Sequence, residues 1–417
     1  MIPWTTLDAA TLPDGSGDLR LKQRGSEFSI MLGSNELMNS RLSGSEEALA
    51  TLVCERLAQR RQASLLIGGL GMGFTLRAAL ARLPGDAQVQ VAELIPAVLA
   101  AKKLIEVNKV QAVLGTWASG VTLAVMPLTD AAGIIQMNVS GAPTISTLDT
   151  KDLVWRFQAT NDRFGAAFAE ICTKRGFKRP ATMAFNNASG LGNVEGFTRA
   201  WEKRGGKVTA HVTYEPNRPS YRSELQKILA TKPDVIVMGS YLPDTTIILR
   251  EWFQSGADTK WIIPGWAANP DLVKALGAEV CEGIISVDTV SNEKSAAYAQ
   301  FDAAFTKATG KPASTNIYAA MAYDMVISLA LAMEAAGPKA TVEQINAKMR
   351  DVSNAPGTAV FTFAEGKAQL AKKAKVNYEG ASSKLDFDKA GDVTPDFGVF
   401  IIEKGQLVRR DVVSITM

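Results

Sequence analysis

Two groups of residues in this 417-residue chain have the types and spacing for ligand chemistry. The first is Gly69, Gly71 and Gly73, within Leu65–Leu66–Ile67–Gly68–Gly69–Leu70–Gly71–Met72–Gly73–Phe74, with Glu93 about 20 residues beyond. A glycine turn between a strand and a helix lets a nucleotide approach the backbone, and an acid after the next strand grips ribose hydroxyls. The second is Trp117–Ala118–Ser119–Gly120, which opens a helix, with Ser140–Gly141–Ala142 after the following strand. A helix N-terminus carries about half a positive charge and unpaired donors, so Ser119 with the Gly120 and Val121 amides suits a carboxylate. Ser119 equally suits a helix cap, and the two roles are compatible. Tyr241 follows Gly239–Ser240, and Trp266 follows a strand ending at Pro264. Each ring has two readings, a cover for the ligand or ordinary packing.

Other chemistries are thinly supplied. His211 is the single histidine, which argues against histidine metal sites and a Ser-His-Asp triad. Cys54, Cys172 and Cys281 have no metal-ligand spacing and read as buried thiols, with a Cys172–Cys281 disulfide open in an oxidising compartment. No metal and no cofactor is expected. The formal charge of +3, with both signs interspersed, lacks the basic stripe that nucleic acid requires. No apolar run is read as reaching the roughly 20 residues of a membrane span. Met1–Leu12 lacks a basic region followed by an apolar stretch, so no secretory leader is expected there.

The elements that must position these residues follow a strand–helix rhythm. With 47% hydrophobic and 21% charged residues, the chain has material for two or three packed domains. Residues 1–27 are polar and turn-rich, Phe28–Leu32 and Glu36–Asn39 read as a hairpin, and Ser45–Arg61 as a helix. Strands are predicted at Ser64–Gly68, Gln88–Leu94, Ala112–Gly115 and Ile134–Asn138, with helices at Phe74–Leu83, Pro96–Val107 and Ser119–Asp130 between them. A second series runs from strand Ala181–Asn186 to strand Ile284–Val287. Long helices follow at Tyr298–Thr309 and Ile317–Ala335, and the tail from Phe361 to Val413 alternates like strands. Such alternation predicts an α/β protein with parallel sheets, helices on both faces, and two lobes around a cleft.

Several ordered stretches carry a resemblance: Ala112–Val113–Leu114–Gly115, Trp117–Ala118–Ser119, Val139–Ser140–Gly141–Ala142, Trp155–Arg156–Phe157, Lys232–Pro233–Asp234, Asn377–Tyr378–Glu379–Gly380–Ala381 and Leu385–Asp386–Phe387–Asp388. With them, residues from about 101 to 417 resemble the branched-chain amino-acid type of solute-binding protein of ABC transporters. The resemblance implies a type I periplasmic-binding architecture and a non-enzymatic receptor that closes on a small amino acid or related carboxylate. An ABC permease partner and a periplasmic location come with it. It implies ligand contacts from Trp117, Ser119, Gly120, Ser140, Gly141, Ala142, Leu191, Tyr241 and Trp266. Leu191 stands where the family often has an aromatic residue. Gly265–Trp266–Ala267 carries no acid where receptors for leucine, isoleucine or valine pair the ligand's ammonium, although Asn269 and Asp271 are near in sequence.

The stretch from about Glu27 to Leu99 instead resembles the front of a spermidine-synthase-like protein, which makes the chain an apparent chimera joined near Leu99–Ala101. Under that resemblance Gly69, Gly71, Gly73 and Glu93 form an adenosyl-nucleotide site, as in a spermidine synthase or methyltransferase, one alternative functional reading; a chimera that binds no ligand is the other. The expected organisation is an extension over 1–63 and a first lobe over 64–150 completed by part of 289–340. A second lobe covers 151–288, and a segment over 341–417 crosses back between the lobes. In this reading Ser64–Gly68 and Gln88–Leu94 replace the receptor's first two strands, and Val98, Leu99, Leu104 and Ile105 continue a buried helix face.

Overall fold

From Ala112 onward, short aliphatic strands alternate with helices, and this alternation builds parallel sheets. The computed structural model describes residues 3–11, 18–25, 27–32, 35–39, 54, 64–68, 81–82, 88–92, 94–216 and 218–415. The chain groups into two units, Met1–Lys109 with Leu123–Leu128, and Val110–Thr122 with Thr129–Met417.

In the first unit, β1 (Thr5–Thr11), β2 (Asp18–Arg24), β3 (Glu27–Leu32) and β4 (Asn35–Asn39) form an antiparallel meander in chain order. The β3–β4 hairpin is the expected one. β1 and β2 fall in the stretch read as polar turns, because Thr, Asp, Arg and Gln mask the leucine alternation. β5 (Ser64–Gly68) and β6 (Gln88–Ala92) pair in parallel along their whole length, Ser64 with Gln88 through Gly68 with Ala92. The expectation that they extend the receptor's first sheet is not met among the described residues: they make a two-stranded sheet of their own. The expected helices over 45–61 and 74–83 lie almost wholly outside the described residues, and Gly69, Gly71, Gly73 and Glu93 lie outside them too. Helix Leu94–Lys102 gives way to a π-turn over Lys103–Val107, so the expected unbroken helix changes winding there. Leu99 and Leu104 are exposed rather than on a buried face.

The second unit holds two lobes. Its first sheet is parallel, in the order β7 (Ala112–Leu114), β8 (Ile135–Asn138), β9 (Val154–Arg156). β9 lies in the stretch expected for the second lobe, yet it hydrogen-bonds to β8, so the chain leaves the first sheet only after Arg156. The second sheet contains β10 (Pro180–Phe185), β11 (His211–Tyr214), β12 (Val235–Gly239), β13 (Lys260–Pro264) and β14 (Ile285–Thr289), all parallel. β15 (Thr358–Val360) and β16 (Val376–Tyr378) form a small parallel pair. β17 (Phe397–Glu403) and β18 (Gln406–Val413) then extend the second sheet antiparallel beyond β14, so β14 does not close it as expected. The tail is not all strand, since Phe363–Ala371 is a helix capped by Thr362.

Five helices place the site: α1 (Ser119–Ala132), α2 (Asn161–Arg175), α3 (Ala188–Lys203), α4 (Leu242–Ser255) and α5 (Ile317–Ala336). The first lobe's core joins Trp155, Phe157, Met321, Leu331, Tyr378 and Phe387. The second sheet is covered on both faces, by Phe164, Phe168 and Phe197 on one and by Tyr221, Ile248 and Trp261 on the other. Each such side chain contributes about 1.5–3 kcal/mol on burial. Helix α5 is, against the sequence expectation, long and apolar enough to cross a membrane. It is instead a core helix. Its Asp324 is buried and accepts from the Tyr378 hydroxyl at 2.8 Å, the Ala381 amide at 2.9 Å, and the Ser382 amide and hydroxyl, both at 2.6 Å. Cys172 and Cys281 are separate buried free thiols, so the disulfide is not formed. His211 is an exposed strand residue bonded to Thr182.

Candidate functional site

The carboxyl ends of the strands in both lobes face one cavity. Its wall is formed by Trp117, Ser119, Val139, Gly141 and Tyr318 from the first lobe and Gln158 and Ala159 from the connection. Asn161, Phe164, Ser189, Tyr241 and Trp266 come from the second lobe. Carboxyl ends of parallel strands are where this class of sheet places ligands, because helices start there.

Five long helices begin at this wall. Ser119 is the first residue of α1, Asn161 the first of α2, Ser189 the second of α3, Tyr241 the residue capping α4, and Tyr318 the second of α5. Each N-terminus brings about half a positive charge, and among the described residues no charged side chain lines the cavity. The cavity is therefore electropositive without a lysine or arginine.

The first lobe's wall is braced internally. Ala118, not Ser119, is the capping residue of α1. The Ser119 Oγ accepts from the Ala142 amide at 3.1 Å, which leaves its own proton for a ligand. The Val121 amide donates to Ala118 O, so it is not available as expected, whereas the amides of Ser119 and exposed Gly120 have no acceptor among the described residues. Ser140 is fully buried beneath the loop. Its hydroxyl donates to the carbonyls of Trp117 at 3.0 Å and Thr116 at 3.2 Å and bonds the Thr122 hydroxyl. Ala142 is buried, with its carbonyl accepting from Arg156. The structure thus brings Trp117, Ser119, Gly141, Tyr241 and Trp266 to the cavity, and leaves Gly120, Ser140, Ala142 and Leu191 off its wall. Leu191 is half-buried on α3, one turn from Asn187.

Gln158, Asn161, Ser189 and Tyr318 had no motif to announce them. Gln158 accepts from the Ala159 amide through Oε1, and its buried Nε2 makes no hydrogen bond of ordinary geometry. Asn161 donates through Nδ2 to Asn193 at 2.9 Å, while its buried Oδ1 has no donor. A Cβ on residue 141 would stand 2.1 Å from that oxygen, so only glycine admits the amide there. Tyr318 is pushed up by burial, and the Trp117 indole and Gln158 amide facing its hydroxyl partly offset this. Buried polar atoms are nearly always paired, so unpaired ones at a cavity wall mark where a ligand's polar atoms belong.

Aromatic rings meet across the opening. Trp117 of the first lobe contacts Tyr241 of the second edge-on at 6.0 Å, and also Tyr318 at 5.9 Å. Trp266 donates its indole N–H to the Ser240 carbonyl at 2.9 Å and packs on Phe164 at 5.0 Å. The space they enclose is about 20 Å³, room for about one water.

Two lobes and a cavity between their strand ends, walled by helix starts, make a site suited to a small solute. The sequence profile of the periplasmic binding protein family matches residues 96–375, and the chain belongs to that family. Among solved structures it is similar to the leucine-binding protein LivK of Thermotoga maritima, at 21% identity and a TM-score of 0.65, over 84% of this chain and 98% of that one. It is also similar to LivJ of Streptococcus pneumoniae in complex with isoleucine, at 16% identity and 0.62, over 85% of this chain and all of that one. An ABC-transporter solute-binding protein of R. palustris in complex with benzoate matches at 19% identity and 0.60, over 85% of this chain and 96% of that one. These likenesses establish the fold. No curated protein matches the sequence.

Proposed function

We propose that this chain is the solute receptor of an ABC uptake system and takes a small amino acid or related carboxylate between its lobes without reacting with it. The convergence of five helix N-termini on a wall with no charged side chain among the described residues carries the reading. Such a wall favours an anion, and the rings of Trp117, Tyr241, Trp266 and Tyr318 favour an apolar body attached to it. The free Ser119 amide, the Ser119 hydroxyl and Gln158 Nε2 are the donors that would receive the carboxylate. Leucine, isoleucine and benzoate are bound by similar proteins, and both chemical types suit this wall.

Small-molecule sites usually span about 300–1,000 Å³, far above 20 Å³. A solute therefore enters only when Trp117 and Tyr241 part, and the receptor works by opening and closing about the connection near Gln158. Ligand binding shifts that equilibrium, and the permease partner reads the closed form. Family membership implies a periplasmic location and a non-enzymatic role. The segment over 27–99 is read as a borrowed spermidine-synthase-like piece. That reading rests on the sequence resemblance alone.

The test is calorimetric titration of the whole chain with leucine, isoleucine, phenylalanine, benzoate and S-adenosylmethionine. Binding of one or more of the first four supports the receptor reading. Binding of the adenosyl compound alone overturns it in favour of a site at Gly69, Gly71, Gly73 and Glu93.

A further inference from the structure

Ala142 is gripped through both of its peptide groups. Its N–H donates to Ser119 Oγ at 3.1 Å, and its carbonyl accepts from Arg156 Nη1 at 3.0 Å. Arg156 ends β9 and is fully buried. Its Nε stands 2.8 Å from Asp392 Oδ1, and its Nη2 donates to the Ser146 hydroxyl at 2.9 Å. Ser146 in turn donates to Asp392 Oδ2 at 2.7 Å, so three side chains close a ring behind the loop that follows β8. The backbone repeats the tie, with the Arg156 amide donating to the Gly391 carbonyl at 2.8 Å. A Cβ on residue 391 would stand 2.4 Å from the Val154 carbonyl oxygen, so glycine is what lets the returning segment come this near β9. Of the residues in this chain of contacts, Ser119 lines the cavity, while Arg156, Ser146 and Asp392 stand behind its wall.

A serine hydroxyl can donate one hydrogen bond and accept two, and its proton rotates to suit its neighbours. With the Ala142 N–H on Ser119 Oγ, the proton is left for the cavity. Without that N–H, the hydroxyl is free to turn its proton onto a nearby carbonyl, as Ser140 does with Trp117. We propose that Arg156, held by Asp392 and Ser146, is a positioning residue for ligand binding. By fixing Ala142 it sets Ser119 as a hydrogen-bond donor to the ligand's carboxylate. This rests on the carboxylate reading of the cavity. A buried guanidinium is tolerated only when its donors are met, and the planar fork meets a carboxylate, a hydroxyl and a carbonyl at once. A lysine at this position keeps the charge opposite Asp392 and loses the fork that holds Ala142.

The experiment is a double-mutant cycle on the whole chain, read by titration with the better-bound of leucine and benzoate. In the wild type, Ser119→Ala is expected to weaken binding at least about tenfold, the scale of a hydrogen bond to a charged group. In an Arg156→Lys background, whose melting transition confirms the fold, the same Ser119→Ala is expected to cost less than about threefold, because the hydroxyl is no longer aimed. A guanidinium that merely braces the fold would lower the melting temperature and leave the cost of Ser119→Ala intact, and that result overturns the proposal. Should Arg156→Lys not melt cooperatively, Ser146→Ala carries the same cycle. It removes one partner from Arg156 and one from Asp392, and the cost of Ser119→Ala should shrink at least about twofold; an unchanged cost overturns the proposal. A Ser119→Ala that binds as the wild type does also overturns it, and leaves the carboxylate reading standing on the Ser119 amide and Gln158. If neither leucine nor benzoate binds the wild type, the carboxylate reading itself falls and this proposal with it.

Discussion

The two walls of the cavity handle polar groups in opposite ways. On the first lobe, Ser119 and Ser140 turn hydroxyl oxygens and protons toward their own loops, holding Ala142, Trp117 and Thr116 in place. On the second lobe, Asn161 Oδ1 is buried without a donor at the wall, and behind it, beside Gly265, the Asp288 carboxyl has no cation partner among the described residues. The first wall is a finished scaffold whose remaining donors are the Ser119 amide and hydroxyl proton at a helix start. The second wall is unfinished, and its acceptors are completed only by something that enters. Serines next to a cleft are therefore poor guides to contact, because the same hydroxyl that can grip a ligand is the cheapest brace for a loop.

Substitutions can break this contrast, the most disruptive being Gly141→Val. Its side chain would collide with Asn161, where the two walls touch, and should lower stability by about 2–3 kcal/mol in urea unfolding. A loss below about 0.5 kcal/mol would mean that the walls are not closely packed there.

The unpaired acid gives the next largest effect. A carboxyl raised by burial favours the folded state while protonated, so its contribution is present below its unfolded value and is lost as pH rises through about 7. Unfolding free energy of the wild type should fall between about pH 4 and 7, by at most about 1.4 kcal/mol per pH unit from this group, and level off above that range. Asp288→Asn should remove that part. A smaller fall between about pH 4 and 6 should remain, from buried Asp324, which burial raises to about 6 against its four hydrogen bonds. Identical pH profiles for the two proteins would contradict an unpaired Asp288.

Ser140→Ala sharpens the contrast from the other side. It removes a buried brace and should lower stability by about 1 kcal/mol while leaving ligand affinity within about twofold. A large affinity loss with unchanged stability would place Ser140 among the contacts after all. The smallest effect belongs to Trp117→Phe, which keeps an edge contact to Tyr241 and loses the indole N–H facing Tyr318. Affinity should fall about two- to fivefold, measured by titration.

Much of this was legible in residue order. The strand–helix alternation from Ala112 to Val287 predicts the parallel sheets, and Trp117, Ser119, Gly141, Tyr241 and Trp266 were found because each follows a strand or opens a helix. Gln158 and Asn161 were not. They lie on the connection between lobes, where Gln158–Ala159–Thr160–Asn161 reads as an ordinary helix start, and their significance is an unpaired atom that only packing reveals. Asp288 was not singled out in residue order, because its proximity to Gly265 depends on the register of β13 and β14. The same limit applies to β5 and β6: their apolar runs announce strands, whereas the choice of partner strand is a long-range matter.

The central claim is that the cavity recognises a carboxylate, and paired titrations of the wild type test it most directly: leucine against leucinamide, and benzoate against benzamide. Each amide keeps the size and apolar body of its acid and lacks the negative charge. In at least one pair the acid should bind more tightly by a factor of about ten or more, the scale of one charge-assisted hydrogen bond. An amide that binds as tightly as its acid would contradict the claim.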